Sequence, residues 1–302
     1  MKKIFSALKS VLLDTIQSSG EHNLMNSAAA IAFYAIFSLP GLLIAVVLTA
    51  GVFYGDDAVR GELSGQIARF VGDSTAQTIE DILKNIELNQ GKGLQSAVGI
   101  GVLLFSATTI FMSLQAALNT IWGVRSAGNK VLREFALNRA LSFGMIVALG
   151  LVLIFSLLMD TLLTVFLQPI HHYLEGVDTV ALELANGLFS LLSVVFIVMI
   201  LFKFLPDVEL KWKNVTMGAL ITSSLLILGK YLIGLYMSQS NFSQTYAAAG
   251  SVVVLLVWVF YSTVVLLFGA ELTRAILNYL GYRILPSRGA EKVELREVEL
   301  ES

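Results

Sequence analysis

No cysteine occurs anywhere in the 302 residues, which excludes a disulfide framework and any thiolate-ligated metal site. Charge is scarce as well. Asp, Glu, Lys and Arg make up 14% of the chain, where soluble globular domains carry about a quarter. The net charge of −2 gives no reason to expect nucleic acid as a partner. No Walker-type glycine-rich loop is present, so direct use of ATP by this chain is not expected. The adjacent His171 and His172 do not make a metal motif. Neighbouring helix positions do not share a face, and Glu175 and Asp178 nearby lack HExxH spacing. No metal and no cofactor are expected.

What the chain does have is apolar length. Hydrophobic residues make up 56%, and the mean hydropathy is +0.77. Six runs are long enough to cross about 30 Å of hydrocarbon as helices, with cores at 28–52, 94–118, 140–166, 184–205, 215–237 and 247–272. They are continuously apolar, without the period-two alternation of a barrel strand. The expected fold class is therefore all-α, a polytopic transmembrane bundle of six spans. The first run follows a 25-residue lead without an obvious cleavage site, so it reads as a retained span rather than a signal peptide.

The connections orient the bundle. Lys2, Lys3 and Lys9 precede the first span, Arg125, Lys130, Arg133 and Arg139 follow the second, and Lys203, Lys211 and Lys213 follow the fourth. Arg274, Arg283, Arg288, Lys292 and Arg296 end the chain. The third and fifth connections, "QPIHHYLEGVDTV" and "SQSNFSQTY", carry no Lys or Arg, and the first is acidic. Positive residues stay on the cytoplasmic side, so both termini are expected there.

Three regions follow: an amphipathic amino-terminal segment (1–25), a membrane domain (26–280) with an outer connection at 53–93, and a charged cytoplasmic tail (281–302). In "IFSALKSVLLDTIQ" lysines accompany an apolar stripe, as suits the inner membrane surface. In the outer connection, "TAQTIEDILKNIEL" puts Ile79, Ile82, Leu83 and Ile86 on one helical face, which predicts a second short amphipathic helix. It reads as a cap on the bundle or as a lid.

A few polar or irregular residues interrupt the apolar runs. Pro40 removes a hydrogen bond inside the first span and should kink or break it, either as plain structure or as a broken helix lining a site. Ala140, Gly144 and Ala148 put a small face on the third span. Lys230 sits roughly 24 Å along the fifth span and Asp160 roughly 32 Å along the third, by the 1.5 Å rise of a helix. Lys230 reads either as a snorkelling or ion-paired structural lysine or as a cation in a polar cavity that meets an anionic headgroup. At the inner side, Gln115, Asn119 and Arg125 end the second span, while Glu271 and Arg274 end the sixth. Glu271 and Arg274, at i and i+3, suit a local pair or an inner gate. The candidate substrate or pathway residues are therefore Lys230, Asp160, Glu271, Arg274, Asn119 and Pro40.

Four stretches, "SAAAIAFYAIFSLPGLLI", "AALNTIWGV", "KFLPDVELKWKNVTMGALITSSLLILGKYLIGLY" and "YAAAGSVVVLLVWVFYSTVVLLFGAELTRA", resemble successive motifs of the YihY/BrkB family of bacterial inner-membrane proteins. The resemblance runs from about residue 26 to residue 275. Where many relatives have Tyr-Gly, this chain reads Tyr246-Ala247. The resemblance implies a multi-pass protein of the bacterial inner membrane, with lipid or envelope-precursor translocation associated with some members. Others bear the labels ribonuclease BN or serum-resistance factor. The ribonuclease label finds no compact Asp/His cluster on the cytoplasmic side, so no enzyme activity is expected. The function expected is a transporter or translocator of an amphiphilic or anionic envelope molecule such as a lipid. The rival reading is a non-transporting scaffold or envelope-integrity factor. Membrane lipids are the expected partners.

Overall fold

A computed structural model of the chain describes residues 2–38, 94–126, 179–239, 250–287 and 289–293, with isolated positions at 55, 61, 64, 65, 77, 80 and 144. Helices dominate them: α1 (Lys2–Glu21), α2 (Leu24–Ser38), α3 (Leu94–Ile121), α4 (Thr179–Phe204), α5 (Trp212–Gln239) and α6 (Gly250–Tyr279). The fold is an all-α bundle. Within α6, Leu255–Tyr279 is long and apolar enough to cross a membrane, and Leu24–Ser38 and Leu191–Phe204 are shorter apolar helices. At 1.5 Å per residue, that stretch of α6 extends over about 37 Å. The expected third span, with Asp160, lies outside the described residues apart from helical Gly144, and so does Pro40. The amphipathic helix expected in the outer connection is described only at Gln77 and Glu80, both helical.

Local chemistry ends each helix. Asn23, with φ of 50°, separates α1 from α2, and its carbonyl accepts from Ser27 N at 3.0 Å. Gly123, with φ of 63°, closes α3, and Pro206 follows the end of α4. At the end of α6, Gly281 takes φ of 73°. Its N–H donates to Asn278 O at 3.0 Å and that of Tyr282 to Leu277 O at 2.9 Å, the paired bonds of a Schellman cap.

Helices α4, α5 and α6 pack in sequence, and α3 and α1 each lie against α6. One apolar core joins α3, α4, α5 and α6 around Leu118, Phe202, Val215 and Leu267, and Val11 of α1 packs in a second cluster with Leu272 and Ala275. The α5–α6 contact depends on glycine. A Cβ at Gly218 would lie 2.1 Å from Thr273 Oγ1, and one at Gly269 would lie 1.9 Å from Thr222 Oγ1. Each threonine hydroxyl donates to the carbonyl one turn earlier on its own helix, Thr222 to Gly218 O at 2.8 Å and Thr273 to Gly269 O at 2.6 Å. The two Gly-x-x-x-Thr faces therefore interlock, each glycine receiving the other helix's threonine. Farther along, Tyr261 covers Gly229 and donates to Leu225 O at 3.0 Å.

Part of the charged tail expected at 281–302 returns to the connections of the bundle. Leu285–Pro286 pairs antiparallel with Val208–Glu209, and Ala290–Lys292 pairs with Val124–Ser126. Ser287 N donates to Asp207 O at 2.9 Å and Val293 N to Gly123 O at 2.8 Å. Backbone hydrogen bonding holds these residues, so they need no apolar pattern of their own, and hydropathy therefore does not mark them.

Candidate functional site

The ends of α3 and α6, the α1–α2 junction, the α4–α5 connection and the returning carboxy-terminal strands line a half-open cavity of about 1070 Å³. Its wall carries Arg125, Arg274, Arg283 and Lys292, together with the carboxylates of Glu21 and Asp207. Gln115, Asn119, Trp122, Asn278 and Tyr282 also line it.

Glu271 lies behind this wall and is fully buried. Arg274 Nε donates to its Oε2 at 3.1 Å, the i,i+3 pair that the spacing predicts. Its Oε1 meets Nδ1 of His22, a residue 249 positions away. With Glu271 ionised its carboxylate can only accept, and the imidazole Nδ1 is then the donor. His22 N donates to Ser18 O at 2.9 Å, so the last turn of α1, packed on α6, brings His22 to this point. The histidine pins the α1–α2 junction to α6, while the terminal nitrogens of Arg274 have no partner among the described residues.

A second polar knot fixes the opposite wall. Asn119 Nδ2 donates to Asp207 Oδ2 at 2.8 Å, and Asp207 N donates back to Asn119 Oδ1 at 2.8 Å. Gln115 Nε2 donates to Asp207 Oδ1 at 3.2 Å. Asp207 thus ties α3 to the α4–α5 connection, and its carbonyl holds Ser287. On the same connection, the Lys203 ammonium donates to Leu210 O and sits 5.7 Å from the centre of the Trp212 ring. Both anchors are local features of a turn that hydropathy reads only as a helix stop.

Of the residues singled out from sequence, Asn119, Glu271 and Arg274 come together here. Lys230 lies in α5 between buried Gly229 and exposed Tyr231, and its side chain is outside the described residues. Asp160 and Pro40 lie outside them altogether. His22 and Asp207 are not among the residues that sequence reasoning picks out. The signal for His22 is a polar "EHN" between two helical patterns, and for Asp207 an acid, with Glu209, among the lysines of its connection. Among the described residues, no group of three or more His, Asp or Glu is placed to hold a metal ion.

Comparison with known proteins agrees with the apolar composition. The family model described as Virulence factor BrkB matches residues 15–292. A UPF0761 membrane protein of Photobacterium profundum is 29% identical over 260 residues, covering 83% of this chain and 75% of the relative. Another, from Stenotrophomonas maltophilia (strain K279a), is 27% identical over 262 residues, 86% of this chain but 59% of the relative. This chain therefore spans about three-fifths of the Stenotrophomonas protein's length. No solved structure matches. With the family model covering nearly the whole chain, the protein belongs to the YihY/BrkB (UPF0761) family of bacterial membrane proteins.

Proposed function

We propose that this protein crosses the bacterial inner membrane six times with both termini cytoplasmic, and that it moves or handles an amphiphilic, anionic envelope molecule such as a lipid. The observation that carries the reading is the arginine-rimmed cavity at one end of a bundle of apolar helices. In the proposed orientation the cavity lies at the cytoplasmic end of the bundle, since it gathers connections rich in Lys and Arg. Exposed Phe33, Phe37, Leu192 and Phe196 on α2 and α4 suit contact with acyl chains. On α1, Val11, Thr15 and Ser18 are buried while Phe5, Leu8, Leu12 and Ile16 are exposed, as suits an interfacial helix at residues 1–25. Residues 26–280 form the membrane domain in this reading, and the carboxy-terminal segment closes its inner face.

Within this reading, Lys230 and Asp160 belong to a pathway in the outer half of the membrane. Glu271 and Arg274 stand at its inner end, with Asn119 opposite and Pro40 as a bending point of the first span. Lipid is the partner; no catalytic step, metal or cofactor is invoked. Reconstitution into liposomes tests it. The protein should accelerate transbilayer movement of labelled phospholipid, and Lys230→Ala should slow it at equal incorporation. Rates equal to those of protein-free liposomes, for neutral and anionic lipids and under a proton gradient, would count against lipid movement.

One observation favours a second reading, a scaffold that transports nothing. No α5 residue lines the cavity among the described residues, and the interlocked Gly218–Thr273 and Thr222–Gly269 contacts seal α5 against α6. Movement through the bundle would require that contact to open or a route on another face.

A further inference from the structure

We infer that the basic cavity is a binding site for a phosphate group, and specifically for the phosphate of an amphiphile's headgroup. The inference rests on the membrane placement proposed above but makes a separate claim, about recognition rather than movement. The charge on the wall is unevenly committed. Asp207 already accepts from Gln115 and Asn119, and Glu21 Oε1 accepts from Gln17 Nε2 at 2.9 Å. Neither acid holds an arginine of the cavity. Arg125 and Arg283 have no acid partner among the described residues, and both are exposed. Arg274, which also lines the cavity, is different because its Nε is fixed on buried Glu271, which orients the guanidinium while its terminal nitrogens hold no partner among the described residues. Three guanidinium groups around one space, one of them pre-positioned, match the forked geometry that recognises phosphate.

One neutral donor at the wall is also unpaired. Trp122 forms part of this wall and is 3% exposed, and its buried indole N–H has no acceptor among the described residues. Size separates a headgroup from a bare ion. About 1070 Å³ is far more than one phosphate fills and lies just above the usual span of ligand cavities, roughly 300–1,000 Å³. The remaining volume suits a polar headgroup beside the phosphate, with the chains leaving toward the apolar helices.

Full-length protein in phosphatidylcholine nanodiscs, titrated calorimetrically, tests this. The probes are dioctanoyl phosphatidic acid, dioctanoyl phosphatidylcholine and inorganic phosphate. Saturable binding of phosphatidic acid is expected, with the double variant Arg125→Gln/Arg283→Gln about tenfold or more weaker. Both side chains are exposed, so the variant should keep the parent's melting temperature and elution profile. Lys211→Gln, an exposed cation off the cavity, should bind like the parent. Inorganic phosphate binding as well as phosphatidic acid would keep the phosphate site and assign it to a soluble phosphate compound. No saturable binding of any phosphate probe, or equal affinity in the folded double variant, would overturn the proposal. Lipid movement in liposomes without such binding would sink this site while leaving the proposed function standing. Binding without movement would do the reverse.

Discussion

Glu271 has no exposure to solvent, and only Arg274 and His22 meet its carboxylate among the described residues. Removing one partner from a buried charge pair leaves the other uncompensated, at a cost of about 3–5 kcal/mol, whereas removing both with an apolar replacement is often close to neutral. Arg274→Ala should therefore lower stability, by less than that amount because His22 still meets the carboxylate. Arg274→Ala/Glu271→Leu should recover most of the loss, read as thermal unfolding in detergent. A double variant less stable than the single one would show that Glu271 is held for another reason. Half of this cluster is legible in the sequence, because an i,i+3 acid and base on one helix announce themselves. His22 does not, since 249 residues separate it from its partner. The Asn119–Asp207 knot, 88 positions apart, is hidden for the same reason.

At the scale of elements, packing between α5 and α6 is controlled by side-chain volume at two glycines. In hydrocarbon, lipid is as apolar as leucine, so helices associate through close packing and interhelical hydrogen bonds rather than water exclusion. Gly269→Ala would drive a methyl into Thr222 and should cost about 1–3 kcal/mol. Adding Thr222→Ala removes the two γ atoms it meets and should restore part of the melting temperature. No change on Gly269→Ala would mean that the helices are not in this contact. Sequence alone anticipates the helices well: the expected cores at 94–118, 184–205 and 215–237 lie within or nearly within α3, α4 and α5. Ends are less legible. Helix α6 continues to Tyr279, beyond the expected core's end at 272, because "LTRAILNY" remains helix-competent after the apolar run has ended. The returning strands are two or three residues long, too short for any period to show. The small face expected on the third span falls largely outside the described residues, while the glycine contacts of α5 and α6 have threonine partners that a hydropathy profile does not register.

For the whole molecule, composition alone establishes the membrane class, and the family membership agrees with it. The cavity is another matter. It is assembled from five separate parts of the chain, and no local pattern announces such convergence. Its proposed location on the cytoplasmic face carries both the function and the phosphate site, since either would need restating if the basic end faced outward. Because the chain lacks cysteine, single cysteines report location without background. Ser287 lies beside the cavity, its N–H on the carbonyl of Asp207. Ser243 lies in the fifth connection, at the opposite end in the proposed topology. A membrane-impermeant thiol reagent applied to intact cells should label Ser243→Cys and spare Ser287→Cys until the membrane is opened. Labelling of Ser287→Cys but not Ser243→Cys in intact cells would contradict the account.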